Sequence, residues 1–184
     1  ARNEMAVLYR THAQSRVLEE ALRTSRIPYR IVGGLRFFDR AEIKDLIAYL
    51  RLTVNPKSDV DLLRVINVPT RGIGGTTVDR VQAAAQQNQL SMLDAVRTVA
   101  AGTLDTDVAN AARKKLGAFV AILDDLARHQ GEMGPADLAT LALERSGYQQ
   151  MLEAENTSES ETRLQNLFEL VGSIRDYEEA ARAE

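Results

Sequence analysis

The chain has no cysteine, which excludes both a disulfide scaffold and a thiolate metal site. Tryptophan is also absent, and aromatic residues make up 5% of 184 positions. A buried core must therefore be aliphatic. No apolar run approaches the roughly 20 residues needed to cross a membrane. No N-terminal stretch has the charged, apolar, small-residue order of a secretory signal. These absences read most simply as a cytoplasmic protein without a membrane partner.

Catalytic patterns are missing as well. Nothing matches G-x-x-x-x-G-K-[ST], the phosphate-cradling loop of nucleotide hydrolases. Gly33-Gly34 runs into Leu-Arg-Phe-Phe, with no Lys or Ser to hold phosphate and magnesium. No G-x-S-x-G elbow occurs. The two histidines, His12 and His129, lie far apart and lack ligand-like spacing to carboxylates, so no metal site is expected. The pairs Asp124-Asp125 and Glu178-Glu179 fall on amphipathic helices, where carboxylates are normally solvated. The sequence thus offers no catalytic residues and no cofactor site of its own.

What is present favours helix. The chain is 45% hydrophobic, rich in Leu, Ala, Val, Glu and Arg, and has 4 prolines. The net charge of -3 hides an asymmetry. Ala1–Gly74 carries 13 Lys and Arg against 8 Asp and Glu, whereas Gly75–Glu184 carries 10 against 18. A nucleic acid would favour the basic first part, and a basic protein partner the acidic remainder.

Near the N-terminus, "EMAVLYR" (Glu4 to Arg10) reads as a buried strand. "AQSRVLEEALRTSRI" reads as a helix, with Val17, Leu18, Ala21 and Leu22 on one face. "PYRIVGG" reads as a second strand stopped by glycines. The order predicts a β-α-β unit, the edge of a larger sheet. From Asp39 onward the period becomes helical. Ile43, Leu46, Ile47, Leu50 and Val54 form a first stripe, with Asp39 as its N-cap. A second helix starts near Ser58 and a third at Thr76, where Thr76 and Asp79 have capping-box spacing. Short helices are expected near Ser91–Ala100 and Asp137–Glu144. A long one, about Asp107 to His129, carries Leu116, Val120, Leu123 and Ala127 inward. Glu155 to Thr162 reads as a polar loop before a last helix with Leu164, Leu167, Val171 and Ile174. The fold class is mainly α: a bundle of about seven helices behind a short β-α-β segment. The last helix has no C-cap signal, as expected of a piece of a longer protein.

One stretch interrupts this helical pattern. "NVPTRGIGGTT" (Asn67 to Thr77) packs three glycines into four positions after Pro69 and Arg71. A helix ends before it and another begins after it, giving a helix-hairpin-helix-like turn. Two readings stay open. Gly72, Ile73 and Gly74 can bring bare backbone amides, with the start of the next helix, up to a phosphate. Arg71 would then add charge and the Thr77 hydroxyl a hydrogen bond. Alternatively, the glycines simply make a tight turn between helices.

The order of "AVLYRTHAQSRVLEEAL", "IPYRIVGGLRFFDRAEIKDLIAYLRL" and "INVPTRGIGGTT" resembles the UvrD/PcrA/Rep family of superfamily 1 DNA helicases. The likeness is specific from Met5 to about Thr77 and less distinctive at "TRLQNLFELVGSIRDYEE". It implies an ATP-driven, 3′–5′ DNA motor of repair or replication, with ATP and magnesium bound by parts that this chain lacks. Residues 1–35 resemble part of the RecA-like subdomain 2A, and residues 36–184 the helical subdomain 2B. The resemblance implies single-strand contact through Arg10, and through His12 where the family has Asn. It implies duplex-backbone contact through Gly72, Ile73, Gly74 and Thr77. Gly33 and Gly34 are expected as the hinge on which 2B swivels. The expected partners are DNA, the rest of the helicase chain, and repair or transcription proteins. The rival function is a protein-interaction module for one of those proteins.

Overall fold

The computed structural model describes residues 5–9, 14–32 and 36–183. Among them the chain forms nine α-helices, with a 3-10 turn at Phe37–Asp39.

Of the expected β-α-β opening, the helix alone forms among the described residues. This helix, α1, spans Ser15–Thr24. Neither residues 5–9 nor residues 27–32 form a strand. A strand is held by ladder hydrogen bonds to a neighbour, and these two segments do not pair. Met5, Val7, Leu8 and Val32 consequently stand exposed.

Polar contacts tie α1 to the helical body. The buried Glu19 carboxylate accepts the Phe37 N–H at 3.1 Å and the Tyr29 hydroxyl at 3.2 Å. Arg40 donates to Ser15 Oγ at 2.9 Å and to Asn166 Oδ1 at 2.7 Å. Asn166 in turn donates to Glu42 Oε1 at 2.7 Å. Burial of this kind is tolerated because each charged group finds hydrogen-bonding partners.

Helix α2 (Ala41–Val54) is the axis of the bundle and packs against α3 (Asp59–Val65), α6 (Asn110–His129), α7 (Pro135–Ser146) and α9 (Ser158–Ala183). It buries Ile43, Leu46, Ala48, Tyr49 and Leu52. Val54, expected on the same stripe, is exposed at its last turn. Its N-cap is Arg40 rather than Asp39, which lies in the 3-10 turn and pairs with Lys44 at 3.0 Å. Helix α3 (Asp59–Val65) starts where expected, because Ser58 Oγ accepts the Asp61 N–H. Helix α4 spans Gly75–Gln87 and α5 spans Met92–Ala101, capped by Ser91.

Helix α6 (Asn110–His129) buries Leu116, Phe119, Leu123 and Leu126. The expected Ala127 is exposed, so the inward face is rotated by about one residue. Helix α7 (Pro135–Ser146) begins with proline at its first turn and ends at Gly147, whose φ is +78°. That glycine turns the chain into a further helix, α8 (Tyr148–Glu155), absent from the sequence expectation. The helical part therefore has eight helices among the described residues. The polar loop is shorter than expected, since α9 (Ser158–Ala183) begins three residues after α8 ends.

A polar cluster around the buried Asp45 links α2, α3 and α8. Tyr148 donates to Asp45 Oδ2 at 2.8 Å, and Arg64 pairs with Asp45 Oδ1 at 2.8 Å. Desolvation pushes the Asp45 carboxyl above its ordinary value of 3.8, opposed by the Tyr148 hydrogen bond and the Arg64 charge.

Candidate nucleic-acid interface

The glycine stretch is the connection between α3 and α4, residues 66–74. Helix α4 packs on α5, and α5 in turn on α3 and α6, so neighbouring helices brace the loop from behind.

Three side chains give the loop its shape. Ile73 is buried to 1% exposure and anchors its centre in the core. Asn67 Oδ1 accepts the backbone N–H groups of Arg71 at 2.8 Å and Ile73 at 3.1 Å. Asparagine suits this role because its short amide reaches backbone donors a few residues on. Arg71 points inward. Its guanidinium donates to Tyr49 Oη and the Ser146 carbonyl, each at 2.8 Å. It also donates to the carbonyls of Pro69 at 3.0 Å and Val65 at 3.3 Å, and lies over the Phe119 ring at 5.5 Å. The guanidinium expected to offer charge to a phosphate is thus engaged inside the protein. Its donors already have four internal oxygens.

The glycines differ from one another. Gly72 has φ +68°, a left-handed conformation that side chains adopt at a cost. Gly74 has φ -77° and ψ 163° and is the N-cap of α4. A Cβ on Gly74 or Gly75 would meet nothing within 4 Å. Neither glycine is required by packing, and both are exposed. The start of α4 has no side-chain cap, so the Thr76–Asp79 box does not form. Thr77 donates its backbone N–H to the Gly74 carbonyl at 3.0 Å, and its side chain is half-buried. The backbone N–H groups of Gly75 and Thr76 have no partner among the described residues. A helix start in this condition favours an anion.

One residue at the loop was not visible in the sequence. Lys115, on α6, donates from Nζ to the Gly72 carbonyl at 3.1 Å across 43 residues of chain. Asn67 was readable, as an Asx residue before a turn; Lys115 had no local signal.

Arg10, His12, Gly33 and Gly34 lie outside the described residues, so the single-strand contact and the hinge remain expectations. Among the described residues no three His, Cys, Asp or Glu side chains cluster to hold a metal ion, and no helix is long and apolar enough to cross a membrane.

The class of protein follows from comparison with known families. The chain matches the UvrD-like helicase C-terminal domain over residues 1–184. It belongs to that family and is of the UvrD/PcrA type of superfamily 1 helicase. It is similar to the ATP-dependent DNA helicase PcrA of Staphylococcus epidermidis, with 44% identity over 177 residues, 96% of this chain and 24% of that protein. The ATP-dependent DNA helicase PcrA of Staphylococcus aureus matches with the same identity and coverage. The chain thus spans about a quarter of the length of these relatives.

Proposed function

We propose that this chain is a DNA-contacting and regulatory part of an ATP-dependent 3′–5′ DNA helicase that acts in repair or replication in the cytoplasm. ATP and magnesium are bound and used elsewhere in the longer protein. Residues 1–35 belong to the motor subdomain 2A and residues 36–184 to the helical subdomain 2B. Subdomain 2B swings about Gly33 and Gly34 and so decides whether its hairpin reaches duplex DNA. Arg10 and His12 face the single strand.

The observation that carries this reading is the α3–α4 loop. Ile73 and Asn67 fix it, while Gly74, Gly75 and Thr76 leave bare, uncapped backbone at an exposed helix start. Backbone amides hold a phosphate without reading base sequence. Gly72 supports the turn, Gly74 the close approach, and Thr77 supplies a hydroxyl. Arg71 now serves by shaping the loop.

Titration of a labelled duplex with the chain tests this. Sequence-independent binding with Kd of about 10⁻⁴ to 10⁻⁶ M, weakening with salt, is expected. An absence of binding at low salt would leave the interaction-module reading, in which the acidic surface beyond Gly75 meets a repair or transcription protein.

A further inference from the structure

The hairpin motif contains one cation, Arg71, and the structure turns it inward. The loop rim is not left without charge. Lys115 arrives from α6 with its ammonium 3.1 Å from the Gly72 carbonyl. The approach is close: a Cβ on Gly72 would sit 2.5 Å from Lys115 Nζ, so a side chain there would push the ammonium aside. The demand for glycine itself comes from the left-handed turn at φ +68°.

The hydrogen bond to Gly72 uses one of the three ammonium donors. Lys115 is exposed, and no carboxylate pairs with it among the described residues. Arg80 on α4 differs in this respect: it pairs with Asp107 at 3.0 Å. Lysine also suits the task chemically. An ammonium is a compact point charge that meets a phosphate from many directions, whereas a guanidinium is a fixed fork suited to several oxygens at once. Arg71 is used in the second way, among four internal oxygens, and Lys115 is free for the first.

We propose that Lys115 is the cation of the hairpin site. It contacts a backbone phosphate of duplex DNA beside the Gly72–Thr76 amides, and Arg71 is a positioning residue that never touches DNA. This rests on the reading of the loop as a duplex-backbone contact and adds a residue that the motif does not contain.

The test uses the 184-residue chain and a labelled random-sequence duplex, with Kd measured over a salt series. Lys115→Gln keeps a donor for the Gly72 carbonyl and removes the charge. Lys115→Arg keeps both. Each phosphate contact contributes about 0.9 to the slope of log K against log salt. Lys115→Gln should flatten that slope by roughly one contact and weaken binding about ten-fold near 50 mM salt. The gap should close at high salt, the melting temperature should be unchanged, and Lys115→Arg should bind like the parent. Affinity lost with the slope unchanged would make Lys115 a mere tether of the loop and overturn the proposal. So would wild-type binding by Lys115→Gln while Gly74→Val is impaired, an outcome that leaves the loop reading intact. Unchanged binding in both variants, or none by the parent chain, would remove the loop reading and this inference together.

Discussion

Arg71 in the α3–α4 loop is hydrogen-bonded to Tyr49 of α2. Arg71 Nη2 donates to the phenol oxygen at 2.8 Å, and the phenol donates to the Val68 carbonyl at 2.5 Å. Burial pushes the Tyr49 hydroxyl up to about 12, against the opposing pull of Arg71. It therefore stays protonated, and stays a donor, throughout the neutral range. The arrangement predicts that Arg71→Lys destabilises the fold by about 2–3 kcal/mol, because an ammonium cannot replace a fork among four oxygens. Tyr49→Phe should cost about 1–2 kcal/mol. Urea midpoints with unchanged slopes would measure both. A neutral Arg71→Lys would show that the guanidinium is dispensable to the loop.

The two outer glycines of the motif should separate fold from function. Gly72→Ala forces a side chain into a left-handed turn, so it should cost about 1–2 kcal/mol of stability. Gly74→Val meets open space and loses at most about 1 kcal/mol of capping preference. Duplex affinity should nevertheless fall more in Gly74→Val, whose branched Cβ stands where backbone meets phosphate. Thermal melts beside binding titrations check the pair. Loss of binding that merely tracks loss of stability would contradict the assignment.

Ile73 ties the motif to the core. Truncation by Ile73→Ala should cost about 2–5 kcal/mol, the range for large-to-small changes at fully buried sites. Proteolysis should then begin within residues 66–74. A cost below 1 kcal/mol would mean that the loop is not anchored through this side chain.

The Asp45 carboxyl gives a pH dependence of known sign. Its native value lies above the ordinary 3.8, so the folded state binds this proton more tightly than the unfolded state. The contribution is largest below 3.8 and declines as pH rises through the native value. Asp45→Asn keeps an acceptor for Tyr148 and does not titrate. Its melting temperature, measured relative to wild type, should rise as pH is raised from about 4 to 7. A difference that is flat, or falls, would mean that the Arg64 ion pair outweighs the desolvation of Asp45.

Helical periodicity carried far into the structure. Ile43, Leu46, Leu116, Leu123 and Leu167 are buried as their spacing indicates, and Ser58 caps α3 as expected. Misreadings arose where tertiary contacts override local pattern. The helix expected near Asp137–Glu144 is followed directly by α8, because Gly147 at φ +78° turns the chain from one into the other. Thr76 looks like a cap, yet Gly74 takes that position and leaves the helix start bare. The apolar run at residues 5–9 has strand composition, but composition supplies no neighbour to pair with. The candidate site was legible as glycines and a threonine. The inward turn of Arg71 and the approach of Lys115 were not legible, because direction and contact across 43 residues leave no trace in local sequence.

The central claim, that the α3–α4 loop meets duplex backbone, is tested most directly by amide NMR. Adding a short duplex to ¹⁵N-labelled chain at low salt should shift the amides of Gly72 to Thr77 first, with Lys115 and its neighbours on α6, and added salt should reverse the changes. Shifts confined to the acidic helices beyond Gly75, or none at the loop while binding is detected, would contradict it.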